Sequence, residues 1–183
     1  MINTMLRRAA HAILLLLLGL QAFAVTIDQN GPLGYGIIED RSIPLNIPLS
    51  ATKSSAFDIF SGWTIVTPPS RGNISFSAPS SLSTTVIYNL TATNYVGSDT
   101  FTVRANGSLG SANLTVNISI NAVNDQPSFS VMSNRSASED GGTQTVSGHA
   151  SGFSPGGGAD EASQTILAYV VSNDNAGLFS LQP

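Results

Sequence analysis

Three features of this chain have residue types and spacing that could do chemistry. Gly152-Phe153-Ser154-Pro155-Gly156 has the Gly-x-Ser-x-Gly spacing of a serine nucleophile turn. That chemistry needs a strand before the serine, a helix after it, and a histidine later in the chain to take the proton. Here Gly157, Gly158 and Ala159 follow, and His149 precedes the serine, so a flexible loop is the expected reading. The Gly156-Gly157-Gly158 run is not followed by Lys-Ser or Lys-Thr, which excludes a phosphate-cradling loop. The adjacent acids Glu39-Asp40 and Glu139-Asp140 could be weighed as a glycosidase acid and base, but they precede strands and face no aromatic-lined cleft that the sequence shows. The lone tryptophan, Trp63, is expected in a core rather than as a sugar platform. Asn73, Asn89, Asn106, Asn113, Asn117 and Asn134 each open an Asn-x-Ser/Thr triplet, expected by chance in a chain rich in these residues.

Composition narrows the field further. The 183 residues include no cysteine, which excludes a disulfide scaffold, a thiolate zinc site, a thiol nucleophile and a redox pair. The formal charge of −4 gives no footprint for nucleic acid. At the N-terminus Arg7 and Arg8 precede an apolar run, Ala12 to Leu20, and then Ala22-Phe23-Ala24. That order reads as a secretory signal peptide cleaved after Ala24, leaving Val25 as the mature N-terminus. The run is shorter than the roughly 20 apolar residues of a membrane span, and no later segment could cross a bilayer as a helix. Cleavage leaves five basic and eleven acidic residues, a formal charge of −6, and one histidine, His149.

The elements that must position any site are strands. No segment after the leader has a 3.6-residue period. In 113–121, Leu114, Val116, Ile118 and Ile120 alternate with polar residues, the pattern of a half-buried strand. Shorter strands are expected at 100–103, 63–66, 74–76 and 86–90. In 42–50, Ile43, Leu45, Ile47 and Leu49 alternate with polar residues and prolines. Pro44 and Pro48 have equal parity, so their missing donors fall on one side, which predicts a sheet-edge strand. About seven strands fit between Gly31 and Val123, enough for one immunoglobulin-like sandwich.

A landmark then repeats. Glu139-Asp140, before an expected strand at 143–146, lies 100 residues after Glu39-Asp40. The turn-rich Val123-Asn124-Asp125-Gln126-Pro127 lies between them. The expected organisation is a leader at 1–24, a complete module at 25–123, a linker at 124–127, and about half a second module at 128–183, including a strand at 178–181. Within this frame four stretches occur in order: Glu39-Asp40-Arg41-Ser42-Ile43-Pro44-Leu45, Thr67-Pro68-Pro69-Ser70-Arg71-Gly72, Tyr95-Val96-Gly97-Ser98-Asp99-Thr100-Phe101, and Val123 to Pro127. Asp99 itself is read as a turn residue. Together they resemble bacterial cadherin-like, immunoglobulin-like tandem repeats of large surface and adhesin-type proteins. Ser138-Glu139-Asp140, Asp160 to Thr165 and Asn173 to Phe179 are similar to the start of another repeat of such arrays.

The resemblance implies an all-β fold of cadherin-like β-sandwich repeats, one complete and one truncated, without catalysis. It implies a role in spacing or adhesion at the cell surface, with neighbouring repeats and a surface protein or glycan as partners. It also implies Ca²⁺ at the junction, with Glu39, Asp40, Asn124, Asp125, Glu139 and Asp140 as ligands. Such an ion takes six to eight oxygens. Ala122 stands where these linkers carry an acid, and the 53–58 loop has one acid, Asp58, so the implied site is weak. Two other functions fit the same strand pattern: a glycan- or protein-binding module, and an accessory region of a larger secreted enzyme.

Overall fold

The computed structural model describes residues 24–138 and 140–165. The leader apart from Ala24, Glu139 and the strand expected at 178–181 lie outside those residues. The chain divides into two compact units between Asn121 and Ala122.

The first unit carries eight strands: β1 (Val25–Ile27), β2 (Leu33–Ile38), β3 (Leu45–Lys53), β4 (Phe60–Thr67), β5 (Gly72–Phe76), β6 (Ser83–Leu90), β7 (Gly97–Gly107) and β8 (Gly110–Asn121). They form two sheets, ordered β1-β3-β6-β5 and β2-β8-β7-β4. This is an all-β sandwich. All neighbours are antiparallel except β2 and β8, which run parallel from Leu33↔Val116 to Ile38↔Asn121. The alternation expected in β8 is realised, with Leu114, Val116, Ile118 and Ile120 all buried. They pack with Ile47, Leu49, Val86, Tyr88, Phe101 and Val103 between the sheets. Trp63 is core, its indole N–H donating to the Ser81 carbonyl at 2.9 Å. The short β1 carries too few residues to show a period, and sequence reading misses it.

The expectation for 42–50 needs correction. β3 lies between β1 and β6, so it is not an edge strand. Its two neighbours do not cover it equally, however. β6 pairs along Leu45 to Ser50, while β1 reaches only Ala51 to Lys53. Pro48 therefore sits where β3 has a single strand partner, and the parity argument holds for that half alone. Past the end of β1, the Gln29 side chain replaces the missing strand. Its Oε1 accepts from the Ser50 N–H at 3.1 Å and its Nε2 donates to Ser50 Oγ at 3.1 Å. The chain then crosses to the other sheet through the cis Gly31-Pro32 bond.

In the second unit β9 (Ser128–Val131) and β10 (Ala150–Ser154) form an antiparallel pair, with Phe129 and Phe153 stacked at 5.8 Å. Two expectations change here. The segment 152–154, expected as loop, is strand, because β9 supplies its partner and Phe129 its apolar contact. The segment 143–146, expected as strand, has no pairing partner among the described residues and is irregular. A single 3-10 turn, Glu161–Ser163, follows.

One buried carboxylate ties the first unit together. Asp99 shares the inward parity of Phe101 and Val103 on β7 and is only 4% exposed. Its Oδ1 accepts from Ser70 N–H at 2.8 Å, Ser70 Oγ at 3.2 Å and Thr100 N–H at 2.9 Å. Its Oδ2 accepts from Arg71 N–H at 3.0 Å and from the Tyr88 hydroxyl at 2.8 Å. Asp99 is thus a strand residue that holds a turn made elsewhere, rather than a turn residue itself. Next to that turn, a Cβ on Gly72 would meet the Tyr88 ring at 2.8 Å and would also strike the Asn89 carbonyl. Only glycine lets the turn approach this closely. The Arg71 guanidinium covers the Tyr95 ring at 4.2 Å.

Burial alone would raise the Asp99 pKa, but the donors from Ser70, Tyr88, Arg71 and Thr100 outweigh it and hold the carboxyl below the usual aspartate range. Burial first, and then the bond to Asp99, keeps the Tyr88 phenol protonated well above the ordinary tyrosine range. Asp99→Asn turns one acceptor into a donor that faces donors, and should cost about 2–4 kcal/mol in urea unfolding. Tyr88→Phe removes one charge-assisted bond and should cost about 1.5–3 kcal/mol. Because the folded pKa is depressed, the Asp99 contribution is complete above the unfolded value of about 3.9 and is lost as pH falls below it. Melting curves of the wild type should therefore fall more steeply on acidification than those of Asp99→Asn.

Candidate functional site

The acidic residues singled out by sequence fall into distinct local settings. Glu39 and Asp40 form the turn after β2 in the first unit. Glu39 N–H donates to the Asn121 carbonyl at 2.9 Å. Asp40 has a positive φ of 51° and accepts the Asn94 N–H at 2.8 Å, so its carboxylate is engaged in shaping that turn. In the second unit Asp140 is an exposed turn residue. Asn124 and Asp125 instead meet the segment 156–164. Asn124 Oδ1 accepts from Gln164 Nε2 at 3.2 Å, and Asp125 Oδ2 accepts from Gly157 N–H at 3.2 Å. Asp125 N–H donates to Glu161 Oε1 at 3.3 Å.

This brings forward two residues to which sequence reading gave no metal role, Asp160 and Glu161. Glu161 is 2% exposed. Carboxylate oxygens of Asp160 and Glu161 lie within 4.8 Å of each other. Asp160 Oδ1 and Glu161 Oε2 are buried with no hydrogen-bond partner. Asp125 stands beside them across Gly156, where an added Cβ would meet Asp125 Cβ and Glu161 Cγ, each at 2.8 Å. A glycine is the only residue that lets these two acids close on the loop. Two carboxyl groups this close repel when both are charged, which favours a shared proton or a bound cation. The cluster can hold a hard metal ion through its oxygens.

Burial, together with the adjoining Asp160 carboxylate, pushes the Glu161 carboxyl above the ordinary glutamate range, against the Asp125 N–H that favours its charged form. Ser154, the serine of the nucleophile-like motif, uses its hydroxyl inside its own turn. It donates to the Gly156 carbonyl at 2.8 Å and accepts from the Gly156 N–H at 3.3 Å. His149 is exposed before β10, its carbonyl accepting from Met132 N–H at 2.8 Å. No helix follows Ser154 among the described residues beyond the single 3-10 turn.

No family model matches the chain, and no curated protein matches it. Among solved structures, domains 1–6 of the surface layer protein SbsC align over 58% of this chain and 14% of that one, at 12% identity and a TM-score of 0.35. An overlap that loose leaves the function to be argued from the residues themselves.

The sign of the Glu161 shift makes a prediction. A carboxyl whose folded pKa is raised contributes stability below its unfolded value, and that contribution is lost as pH rises through the folded pKa. In chelator, hydrogen exchange across 150–165 should therefore slow as pH is lowered from about 7 toward 5, after correction for intrinsic rates. Glu161→Gln should remove that dependence. An unchanged profile in the variant would show that the charge of Glu161 does not matter to the fold.

Proposed function

We propose that this chain is an exported, non-catalytic extracellular module of a cadherin-like tandem array, serving as a spacer or stalk or in adhesion, with calcium held by its second unit. The observation that carries the reading is the placement of entry and exit in the first unit. Ala24, just before β1, packs against Gly110 at the start of β8, and the chain leaves the unit at Asn121, the end of the same strand. Entry and exit are thus separated by the length of β8, roughly 36 Å at 3.3 Å per residue. Domain termini often lie close together. With its exit at the pole opposite its N-terminus, the first unit can pass the chain on to following modules.

Two further features support it. The sheet order matches the immunoglobulin arrangement, in which two antiparallel-dominated sheets share a Greek-key core. The depressions on the first unit are open grooves. One of them measures about 630 Å³ between β1 and the start of β8, lined by Thr26, Gln29, Asn113 and Leu114. It brings together amide and hydroxyl groups but no acid–base pair. For the second unit, calcium suits the neighbouring carboxylate oxygens of Asp160 and Glu161, with affinity on the order of 10⁻⁴–10⁻³ M as in extracellular modules.

Replacing residues 25–121 in the native protein by an unrelated sandwich of equal length tests the spacer reading. Surface display, scored with antibody on intact cells, and attachment should both survive. Loss of attachment with display intact would assign the first unit a ligand of its own. Calorimetric titration with CaCl₂ should show binding that Glu161→Gln and Asp160→Asn each weaken at least tenfold. No heat in the wild type would remove calcium from the model of function.

A further inference from the structure

Two residues fill neighbouring positions at the pole where the chain enters the first unit. Gly107 and Gly110 stand opposite each other at the end of the β7–β8 hairpin. Opposed positions of this kind hold their Cβ sites about 4.5–5.5 Å apart. A Cβ on Gly110 would meet the Ala24 Cβ at 2.7 Å and the Ala24 Cα at 3.5 Å. A Cβ on Gly107 would meet both carboxylate oxygens of Asp58 at 2.7 Å and the Gly110 carbonyl oxygen at 2.8 Å. Ala24 and the Asp58 carboxylate thus lie side by side against the hairpin, each in a space that a glycine leaves open.

Asp58 is only partly satisfied there. It is 1% exposed, and its N–H is fixed on the Ser55 carbonyl at 3.2 Å. Its Oδ1 accepts from Ser108 Oγ and from Leu109 N–H, each at 3.1 Å. Its Oδ2 is buried with no hydrogen-bond partner. Lys53, opposite Val25 on β3, is exposed and gives Oδ2 no hydrogen bond. A buried carboxylate oxygen without a donor or a counter-charge lowers stability.

The group covalently next to Ala24 is the Val25 nitrogen. Asp28 N–H donates to the Ser50 carbonyl at 3.0 Å, which makes those two residues a hydrogen-bonded pair of the β1–β3 ladder. Such pairs alternate along an antiparallel ladder. Thr26↔Thr52 is therefore the next one, and Val25↔Lys53 is a pair without backbone hydrogen bonds. The Val25 N–H points away from β3, and the other strands β1 packs against are β7 and β8. In the uncleaved chain this nitrogen is a neutral amide. Cleavage hydrolyses the Ala24–Val25 bond: water gives its hydroxyl to the Ala24 carbonyl carbon and a proton to the nitrogen. A second proton from solvent charges the new amine. Ala24 then no longer fills the space over Gly110.

We propose that the α-amine of Val25, freed when the leader is removed, takes the place of Ala24 and pairs with Asp58 Oδ2. The inference rests on the reading of an exported chain cleaved after Ala24. The ion pair ties the start of β1 to the β3–β4 loop and to the β7–β8 hairpin. With the leader attached, Oδ2 has no counter-charge and this pole is held less tightly. Removal of the leader therefore completes the first unit, and processing and final stability become one event.

The test begins with N-terminal sequencing of the exported protein, where Val25 is expected. All forms carry Lys53→Arg, which leaves the terminus as the sole primary amine. The free form should melt about 4 °C or more above the form acetylated at Val25. In Asp58→Asn, acetylation should change nothing. If that variant fails to fold, the amine itself decides. Its reaction with acetic anhydride should turn on about one pH unit or more above the roughly 7.7–8.0 of a free α-amine. Equal melting of the free and acetylated forms, or an unshifted amine, overturns the proposal and leaves the cleavage reading intact. A first residue other than Val25 overturns both. Silent acetylation with a CaCl₂-induced rise in melting that Asp58→Asn abolishes gives Oδ2 to a metal ion, and also overturns the proposal.

Discussion

Of the three buried carboxyl side chains described in the first unit, Glu39, Asp58 and Asp99, the last is the one that joins its two sheets. Asp99 takes five hydrogen bonds on two oxygens, and they come from three parts of the chain: the turn before β5, the centre of β6, and its own strand. A carboxylate in the core is tolerable only when it is this fully solvated by protein. Once so placed it fixes the separation of the sheets at that end, because Tyr88 belongs to one sheet and Asp99 to the other. The stacked Tyr88 and Phe101 rings, 6.1 Å apart, then fill the space beside it.

The same contact explains why the sequence could be read as a family pattern without yielding a reactive centre. Thr67 to Gly72 and Tyr95 to Phe101, two of the stretches that carry the resemblance, are the two halves of the Asp99 bond network. Their residue types are set by packing: Gly72 by the closeness of Tyr88, Asp99 by the N–H groups it must satisfy. The alternation of Phe101 and Val103 extends back to Asp99 in the structure, whereas a strand read as starting at Thr100 left Asp99 as a turn residue. What the sequence could not show was which distant donors would meet it, since Ser70 is 29 residues away. Strand existence followed from alternation where strands were long, as in β8, and failed where they were short, as in β1, or where pairing depended on a remote partner, as in β10.

The acidic cluster of the second unit was less legible for the same reason. Nothing periodic marks Asp160 or Glu161, and the bond from Asp125 to Glu161 spans 36 residues. The available signal was the combination of consecutive acids with a glycine run just before them, which permits close approach of backbone to carboxylates. Sequence reading instead favoured acids that precede strands. In the structure Asp40 serves its own turn, and Asp140 stands in the open.

The parallel pairing of β2 with β8 has a mechanical consequence. Opposed forces on the two ends of the unit, once β1 is peeled from β3, would pull β2 by its first residue and β8 by its last, in opposite directions along the strand axis. Six residue pairs, Leu33↔Val116 to Ile38↔Asn121, then carry the load in shear. An antiparallel ladder pulled from one end opens a rung at a time, whereas this one must yield all at once. Within the first unit, the β2–β8 ladder is the pairing oriented to take such a load in shear.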